Sequence, residues 1–479
     1  MVGITSYGTY VPRYRMSRKV IASAIGWFNP AFLPGEKAVA NYDEDSISMA
    51  VAACTDCLPE ISHDAIDGLY FATTSAPYQN REGSAIISSA LALKPNIRTA
   101  DLTNSTKAGT TALISACEAT AHREIKNMLV CAADCRLAKP GSTQEQVFGD
   151  GAAALLIGSE GVIATLEGSF SVSYDFPDFW KSAYDKFEHT AEERFIRDEG
   201  YAKFTREAIT GLLKKLKLEP KDITKVIFPC LYLRDHAAIG KKLGFNPEQV
   251  QEPLVTTMGE AGTASPLLML SAALEEAKPG DKIVISSYGN GSEAMLFTIT
   301  DEIEKKRPMK GIKRQLASRR ELTSYEKYLV FRGVLPVEAG VRGEVGFTWL
   351  PLNWRERKSF LALCGSKCKQ CGTPQYPPQR ICINPDCGAV DEMDEYRFAE
   401  KEGTLFSYTE DSLAFSISPP QIYGVIDFDG GGRYVFDITD CDPGSLKVGT
   451  PMKMSFRRKY FDENRGLHVY YWKAIPILE

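Results

Sequence analysis

Up to residue 300 the chain alternates two patterns of hydrophobic and polar positions. Short apolar runs rich in β-branched and small residues read as buried strands: "DGLYFATTSA", "KNMLVCAADCRLA", "GDGAAALLIGS", "TKVIFPCLYL" and "DKIVISSYGNGSEAMLFTI". Between them lie segments of helical spacing: "DSISMAVAACTDCL", "TTALISACEATAHREI", "YAKFTREAITGLLKKLKL" and "PLLMLSAALEEAKPG". Buried strands alternating with helices predict a layered α/β fold. The same element order recurs in both halves, which suggests an internal duplication.

The texture then changes twice. "EIEKKRPMKGIKRQLASRR", Glu302 to Arg320, is basic and broken by Pro and Gly. It reads as a solvated linker, or alternatively as a surface that meets the phosphates of a nucleotide-like cofactor. "SYEKYLVFRG" follows as a short amphipathic helix. From about Val345 onward the chain has short strands, turns and paired cysteines. "GTLFSYTE", "PPQIYGVIDFDGGGRYVFDITD", "KVGTPMKMSFRRKYF" and "GLHVYYWKAI" predict a small barrel of about five strands. Predicted domains are 1–165, 166–335, 345–395 and 396–479.

Composition narrows the function classes. The 479 residues are 44% hydrophobic, enough for packed cores. No run of about 18 apolar residues predicts a membrane span. "MVGITSYGTYVPRYRMS" reads as a strand and loop and has no apolar signal core, so a cytoplasmic protein is expected. A net charge of -5 with mixed signs argues against a general nucleic-acid binder. "FRRKYF" and "VYYW" suit a nucleic-acid face on such a barrel, but serve equally as barrel core and rim.

Of twelve cysteines, four stand as two close pairs in "CKQCGTPQYPPQRICINPDC". Cys368 and Cys371 have two residues between them; Cys382 and Cys387 have four. Four thiolates on two knuckles suit a structural zinc with no open coordination position. Gly372 and Gly388 allow the tight turns of a zinc ribbon. Unmetallated structural cysteines and a redox dithiol are the alternatives, and Cys364 lies near enough to shift the ligand assignment.

"GTYVPRYRMS", "NYDEDSISMA", "FGDGAAALLIG", "GTASPL", "AKPGD", "SYGNGSEA" and "SYEKYLVFRG" together resemble the 3-hydroxy-3-methylglutaryl-CoA synthase branch of the thiolase superfamily, most closely its archaeal type. Residues beyond 345 resemble the zinc-ribbon and OB-fold module that accompanies such enzymes as a separate small protein; here it is fused. The resemblance implies a duplicated α/β/α/β/α layered domain, a homodimer, and an acyl-CoA reaching a buried nucleophile. It also implies complexes in which a thiolase, a synthase and the zinc module share a CoA site.

Residue by residue, the family's catalytic set is missing. Thr106 in "STKAGT" occupies the place of the nucleophilic cysteine, Pro229 in "IFPCLYL" that of the histidine, and Thr74 in "FATTSA" that of the general-base glutamate. Glu260 in "MGEAGTASP" stands near the place of an asparagine. Gly291 in "SYGNGS" matches a backbone donor. A threonine hydroxyl is a far weaker acid than a thiol and needs an adjacent base. Thr106 is therefore expected to be a helix N-cap, or a hydroxyl that orients a bound carbonyl. Asn104 and Lys107 flank it and are candidate substrate contacts. Tyr232 or an Asp235–His236 pair is a candidate acid or base for retro-aldol chemistry, as is Glu260; Cys230 reads as a buried strand residue and His236 alternatively as a surface helix start.

Three functions fit: an acyl-CoA-binding subunit beside a thiolase that carries the catalytic Cys, a Cys-independent aldolase or lyase on a hydroxyacyl-CoA, or a non-enzymatic scaffold. The aromatic segment "FSVSYDFPDFWKSAYDKFEH" suits either an acyl pocket or an interface.

Overall fold

A computed structural model describes residues 1–26, 33–59, 61–122, 124–306, 311–338 and 346–477. Val345, the expected start of the ribbon, and part of the basic linker (307–310) lie outside the described residues. Two compact units divide the chain. The first comprises Met1–Asn41, Asp45–Ile86 and Lys94–Tyr328; the second comprises Tyr42–Glu44, Ile87–Leu93 and Leu329–Glu479.

The first unit is built on one nine-stranded sheet. Its strands are β1 (Gly3–Tyr10), β2 (Gly68–Ala72), β3 (Arg98–Leu102), β4 (Met128–Asp134), β5 (Gly151–Gly158), β6 (Ala164–Ser173), β7 (Lys225–Ile227), β8 (Lys282–Tyr288) and β9 (Gly291–Ile299). Their order is β7-β8-β9-β6-β1-β5-β4-β2-β3. From one edge, β3, β2 and β4 run parallel, and β5 and β1 follow antiparallel. From the other edge, β7 and β8 run parallel, and β9 and β6 follow antiparallel. The counterpart of β3 is reduced to one parallel bridge, Val226 to Val250. The halves join where β1 pairs with β6. The expected duplication is thus a repeated strand order.

Burial explains the strand sequences. β4 and β5 are buried along their whole length, so "MLVCAAD" and "GAAALLIG" are apolar runs rather than alternations. Helix α1 (Ser46–Cys57) is capped by Asp45, which accepts from Ser48 N. Helix α2 (Ala108–Ala121) is rich in Ala, Gly and Thr and apolar on most sides. Gly109 sits so close to the Thr263 carbonyl that a β-carbon would lie 2.3 Å from it. Helix α3 (Ala202–Leu216) is amphipathic and buries Phe204, Ala208, Ile209, Leu212 and Leu213 on one face. It forms a core with Val226, Val284 and Leu296 of the sheet. Helices α4 (Leu233–Lys242) and α5 (Ser265–Glu276) complete the second half. "SYEKYLVFRG" contains the expected short helix, Tyr325–Phe331.

The second unit carries two small sheets. In the ribbon, β10 (Cys364–Cys368) pairs with β11 (Pro374–Gln375) and β12 (Met393–Arg397). The barrel consists of β13 (Gly403–Asp411), β14 (Gln421–Phe428), β15 (Arg433–Asp437), β16 (Pro451–Asp462) and β17 (Leu467–Pro476), in the order β15-β14-β13-β16-β17. A parallel bridge from Ile438 to Ala474 closes it. β14 follows the period-two rule, with Ile422, Ile426 and Phe428 buried.

Inside this second unit is a fully buried ionic cluster. The Arg457 guanidinium meets Glu44 at 2.5 Å, Asp440 at 2.6 Å and Asp43 at 3.4 Å, and Lys473 meets Asp43 at 2.9 Å. Burial alone would raise the Asp43 carboxyl; Lys473 and Arg457 outweigh it and hold the group below its usual range. Breaking such a pair strands a buried charge, which costs about 3–5 kcal/mol. Asp43→Asn in the full chain is therefore expected to lower stability by about that amount in denaturant unfolding at pH 7. Because the folded carboxyl is depressed, its contribution is present above the unfolded value and is lost as pH falls through the folded one. The deficit of the variant should accordingly shrink in acid, and a deficit unchanged between neutral and acid pH would contradict this account.

Candidate functional site

Segments at the strand ends of the first unit converge on a small cavity lined by Thr106, Arg136, Phe179, Pro229, Leu231, Glu260, Gly262, Pro266 and Tyr288. A second small cavity shares Glu260 and is mostly apolar, with Leu254, Val255, Met258, Leu268 and Met269 in its wall. The positions where the sequence resemblance places a nucleophile, a histidine and an asparagine, namely Thr106, Pro229 and Glu260, share the first cavity.

Thr106 lies in the turn between β3 and α2. Its hydroxyl donates to the Tyr288 carbonyl at 2.6 Å, and the neighbouring Ser105 hydroxyl donates to the Gly289 carbonyl at 2.9 Å. This corrects the expected N-cap role: the cap of α2 is Lys107, without a side-chain capping bond. The Thr106 proton is committed to a carbonyl. The glycine against this turn is Gly289, where a β-carbon would lie 2.6 Å from both the Ser105 and Thr106 hydroxyl oxygens. Gly291 instead packs against the Val172 carbonyl of β6. Asn104 is exposed and adopts a left-handed conformation (φ 71°).

Two buried carboxylates hold this geometry. Asp134, at the end of β4, accepts at Oδ1 from Thr74 N (2.7 Å), Ser75 Oγ (2.7 Å), Thr73 Oγ1 (3.0 Å) and Thr74 Oγ1 (3.1 Å). Its Oδ2 accepts from Thr263 N (2.8 Å) and Thr263 Oγ1 (2.9 Å). Thr74 is thus a hydrogen-bond donor inside this network. Glu293, on β9, accepts from Thr110 (2.7 Å) and Thr111 (2.9 Å) in the first turn of α2, with the Lys107 ammonium 3.9 Å away.

The remaining candidates separate. Glu260 is buried and ion-paired with Arg136, which also faces Glu188 at 3.7 Å and stacks on the Phe148 ring. Burial works against the Arg136 charge; the Glu260 and Glu188 carboxylates outweigh it. Asp235 and His236 do not form a pair. Asp235 lies 3.9 Å from Arg197 on the surface. His236, far from being a surface helix start, is 4% exposed, stacks on Phe228 and places Nε2 3.3 Å from the Phe228 carbonyl. Burial pushes its ring down to about 4, so it is neutral at pH 7. Burial also pushes the Cys230 thiol up to about 12, which rules out a thiolate there at neutral pH. Cys230 lies beyond the end of β7 rather than in it. Tyr232 is half-buried, edge-on to Tyr201, and its phenol is raised, first by burial.

Sequence reasoning missed Asp134, Arg136 and Glu293. The signal was present: charged residues following or interrupting buried apolar runs, in "LVCAADCR" and "GSEAMLF". Tyr288 sits in the quoted "SYGNGS", where only a glycine drew notice.

In the second unit, the sulfurs of Cys368, Cys371, Cys382 and Cys387 lie within 4.8 Å of one another, with Cys368–Cys387 at 3.7 Å and Cys371–Cys382 at 3.5 Å. Tetrahedral bonds of about 2.3 Å to zinc would separate sulfurs by about 3.8 Å, so the donor set fits that ion. Gly372 and Gly388 have positive φ (75° and 60°), as turns at both knuckles require. Cys364 is outside the group; its sulfur lies 3.8 Å from the Ala362 carbonyl.

Residues 396–457 match the family model described as the C-terminal OB-fold domain of ChsH2, and residues 213–299 match the C-terminal domain of 3-oxoacyl-[acyl-carrier-protein] synthase III. Hydroxymethylglutaryl-CoA synthase of Methanopyrus kandleri is 33% identical over 336 residues, covering 68% of this chain and 96% of that protein. The Aeropyrum pernix protein of the same name is 34% identical over 344 residues, covering 70% and 95%. Among solved structures, HMG-CoA synthase complexed with CoA superposes with a TM-score of 0.64 at 20% identity, covering 73% of this chain and 94% of that one. The 3-oxoacyl-[acyl-carrier-protein] synthase III of Aquifex aeolicus gives 0.56 at 19% identity, covering 62% of this chain and all of that one. With a thiolase-like fold, an OB-fold region after it, and Thr106 where the nucleophile is expected, the chain belongs to the hydroxymethylglutaryl-CoA synthase family.

Proposed function

We propose that this chain binds an acyl-CoA thioester in the Thr106–Glu260 cavity and takes part in making or breaking a C–C bond beside the thioester carbonyl without forming a covalent acyl-enzyme. The observation that carries the reading is the Thr106 hydroxyl bond to the Tyr288 carbonyl, in a member of this family. A solved family member complexed with CoA supports the ligand class.

A second reading rests on the same replaced side chains. Here the chain is the acyl-CoA-binding subunit, itself a homodimer, of an assembly whose partner thiolase supplies a catalytic cysteine. Native mass spectrometry of the protein purified from its own host separates the two: a stoichiometric thiolase favours the second, a lone dimer the first. We place a structural zinc on Cys368, Cys371, Cys382 and Cys387. It would fasten the two knuckles together. All four positions are filled by protein, which leaves none for substrate.

Two outcomes test these readings. Thr106→Val removes one neutral hydrogen bond and is expected to cost about 1 kcal/mol of stability while retaining acyl-CoA binding by titration calorimetry. Loss of binding in a folded variant, or no binding of acetyl-CoA or longer acyl-CoAs by the wild type, would contradict the assignment. Purified protein should carry about one zinc per chain by elemental analysis, with Cys382→Ser losing it. Metal well below that level in a stable wild-type protein would remove the zinc assignment.

A further inference from the structure

Tyr288 contributes to the site twice. Its backbone carbonyl takes the Thr106 proton, while its side chain lies among Tyr201, Phe204 and Phe176. The residue is 3% exposed and lines the cavity, yet its hydroxyl makes no hydrogen bond of good geometry. Beside it is Asp178, also 3% exposed, whose Oδ1 accepts from Phe179 N at 2.7 Å and whose carboxyl group interacts with the Tyr288 hydroxyl. Phe179, the next residue, is itself in the cavity wall. A phenol and a carboxyl thus face each other in the largely apolar wall of the cavity.

The backbone makes room for this hydroxyl. Residues Ile196–Tyr201 form a π-helical turn leading into α3, and it brings Gly200 against Tyr288. A β-carbon on Gly200 would lie 2.5 Å from the Tyr288 hydroxyl oxygen. Such turns are concentrated at functional sites. The neighbouring Tyr201 hydroxyl differs in kind: it is committed to the Pro229 carbonyl at 2.5 Å.

We propose that the Tyr288 hydroxyl is the proton donor and acceptor for the reacting oxygen of a 3-oxoacyl- or 3-hydroxyacyl-CoA bound in this cavity, with Asp178 as its positioning residue. The inference rests on the acyl-CoA reading given above. In the bond-forming direction, the α-carbon of a thioester enolate attacks a carbonyl carbon. The C–C bond forms, the carbonyl π pair becomes an alkoxide, and Tyr288 gives that oxygen its proton. The Asp178 carboxyl, whose burial favours its protonated form, then returns a proton to the phenolate and recovers its own from solvent. In cleavage, the substrate hydroxyl proton passes to Tyr288 as Tyr288 gives its own proton to the Asp178 carboxylate. The Cα–Cβ electron pair moves into the thioester enolate, and the β-carbon becomes a carbonyl. The titratable groups facing Tyr288 are Asp178, Tyr201 and Tyr232; burial and then Asp178 raise the phenol, and burial raises the Asp178 carboxyl. Both shifts favour the protonated forms.

The test uses the full chain and acetoacetyl-CoA, whose enolate absorbs in the near ultraviolet. A hydrogen bond to the developing charge should stabilise the bound enolate about tenfold or more. Tyr288→Phe is expected to bind the ligand within about threefold of wild type by calorimetry while moving the pH midpoint of the enolate band up by about one unit or more. Asp178→Asn should bind it and alter the pH profile, and Tyr201→Phe should leave the profile unchanged. A Tyr288→Phe protein that binds the ligand with an unaltered profile overturns this inference alone. A wild-type protein that binds no acyl-CoA overturns the reading of the site and this inference with it.

Discussion

The site depends on a buried carboxylate whose two oxygens are filled by hydrogen-bond donors. Asp134 ends a fully buried strand and receives six hydrogen bonds from Thr73, Thr74, Ser75 and Thr263. A charge in that position is tolerable only when its lone pairs are filled. Filling them fixes the loop after β2 and the loop before α5. Gly262 belongs to this arrangement, because a β-carbon there would lie 2.2 Å from Asp134 Oδ2. Glu293 does the same for the opposite wall by gathering Thr110, Thr111 and Lys107 at the start of α2. The cavity is what remains between two anchored loops and one anchored helix.

Within that frame the chemistry has moved. The turn that presents a nucleophile in the family's pattern here gives its hydroxyl away to the strand opposite. Pro229 has no side-chain proton acceptor, and His236, the nearest histidine in sequence, is neutral and faces Phe228. Tyr288, which lines the same cavity, sets a phenol against the Asp178 carboxyl instead. The ion pair of Glu260 with Arg136 supplies a fixed dipole at the cavity wall rather than a mobile proton.

Strand and helix identity were legible wherever burial was uniform, as in the β4 and β5 runs and the amphipathic face of α3. The duplication was legible as element order, and the ribbon as cysteine spacing. Other features depend on what the chain meets far away. "TKVIFPCLYL" looks like a full strand, yet β7 stops at Ile227, since Pro229 has no N–H for a ladder. His236 reads as a helix start at the surface, but α4 buries it on one face with Ile239 and Gly240. "NYDEDS" looks like an acidic turn in water; its Asp43 and Glu44 are buried by Arg457 and Lys473, which are remote in sequence. Local pattern carries no information about such partners.

The account centres on a family member that handles a CoA thioester with no acyl group passing through Thr106. Intact-protein mass spectrometry under denaturing conditions, after incubation with acetyl-CoA, tests this directly. The account predicts an unchanged mass for the chain, with the CoA ester released unaltered on unfolding. An acetyl adduct that maps to Thr106 would contradict it, and would show that the threonine acts as the nucleophile after all.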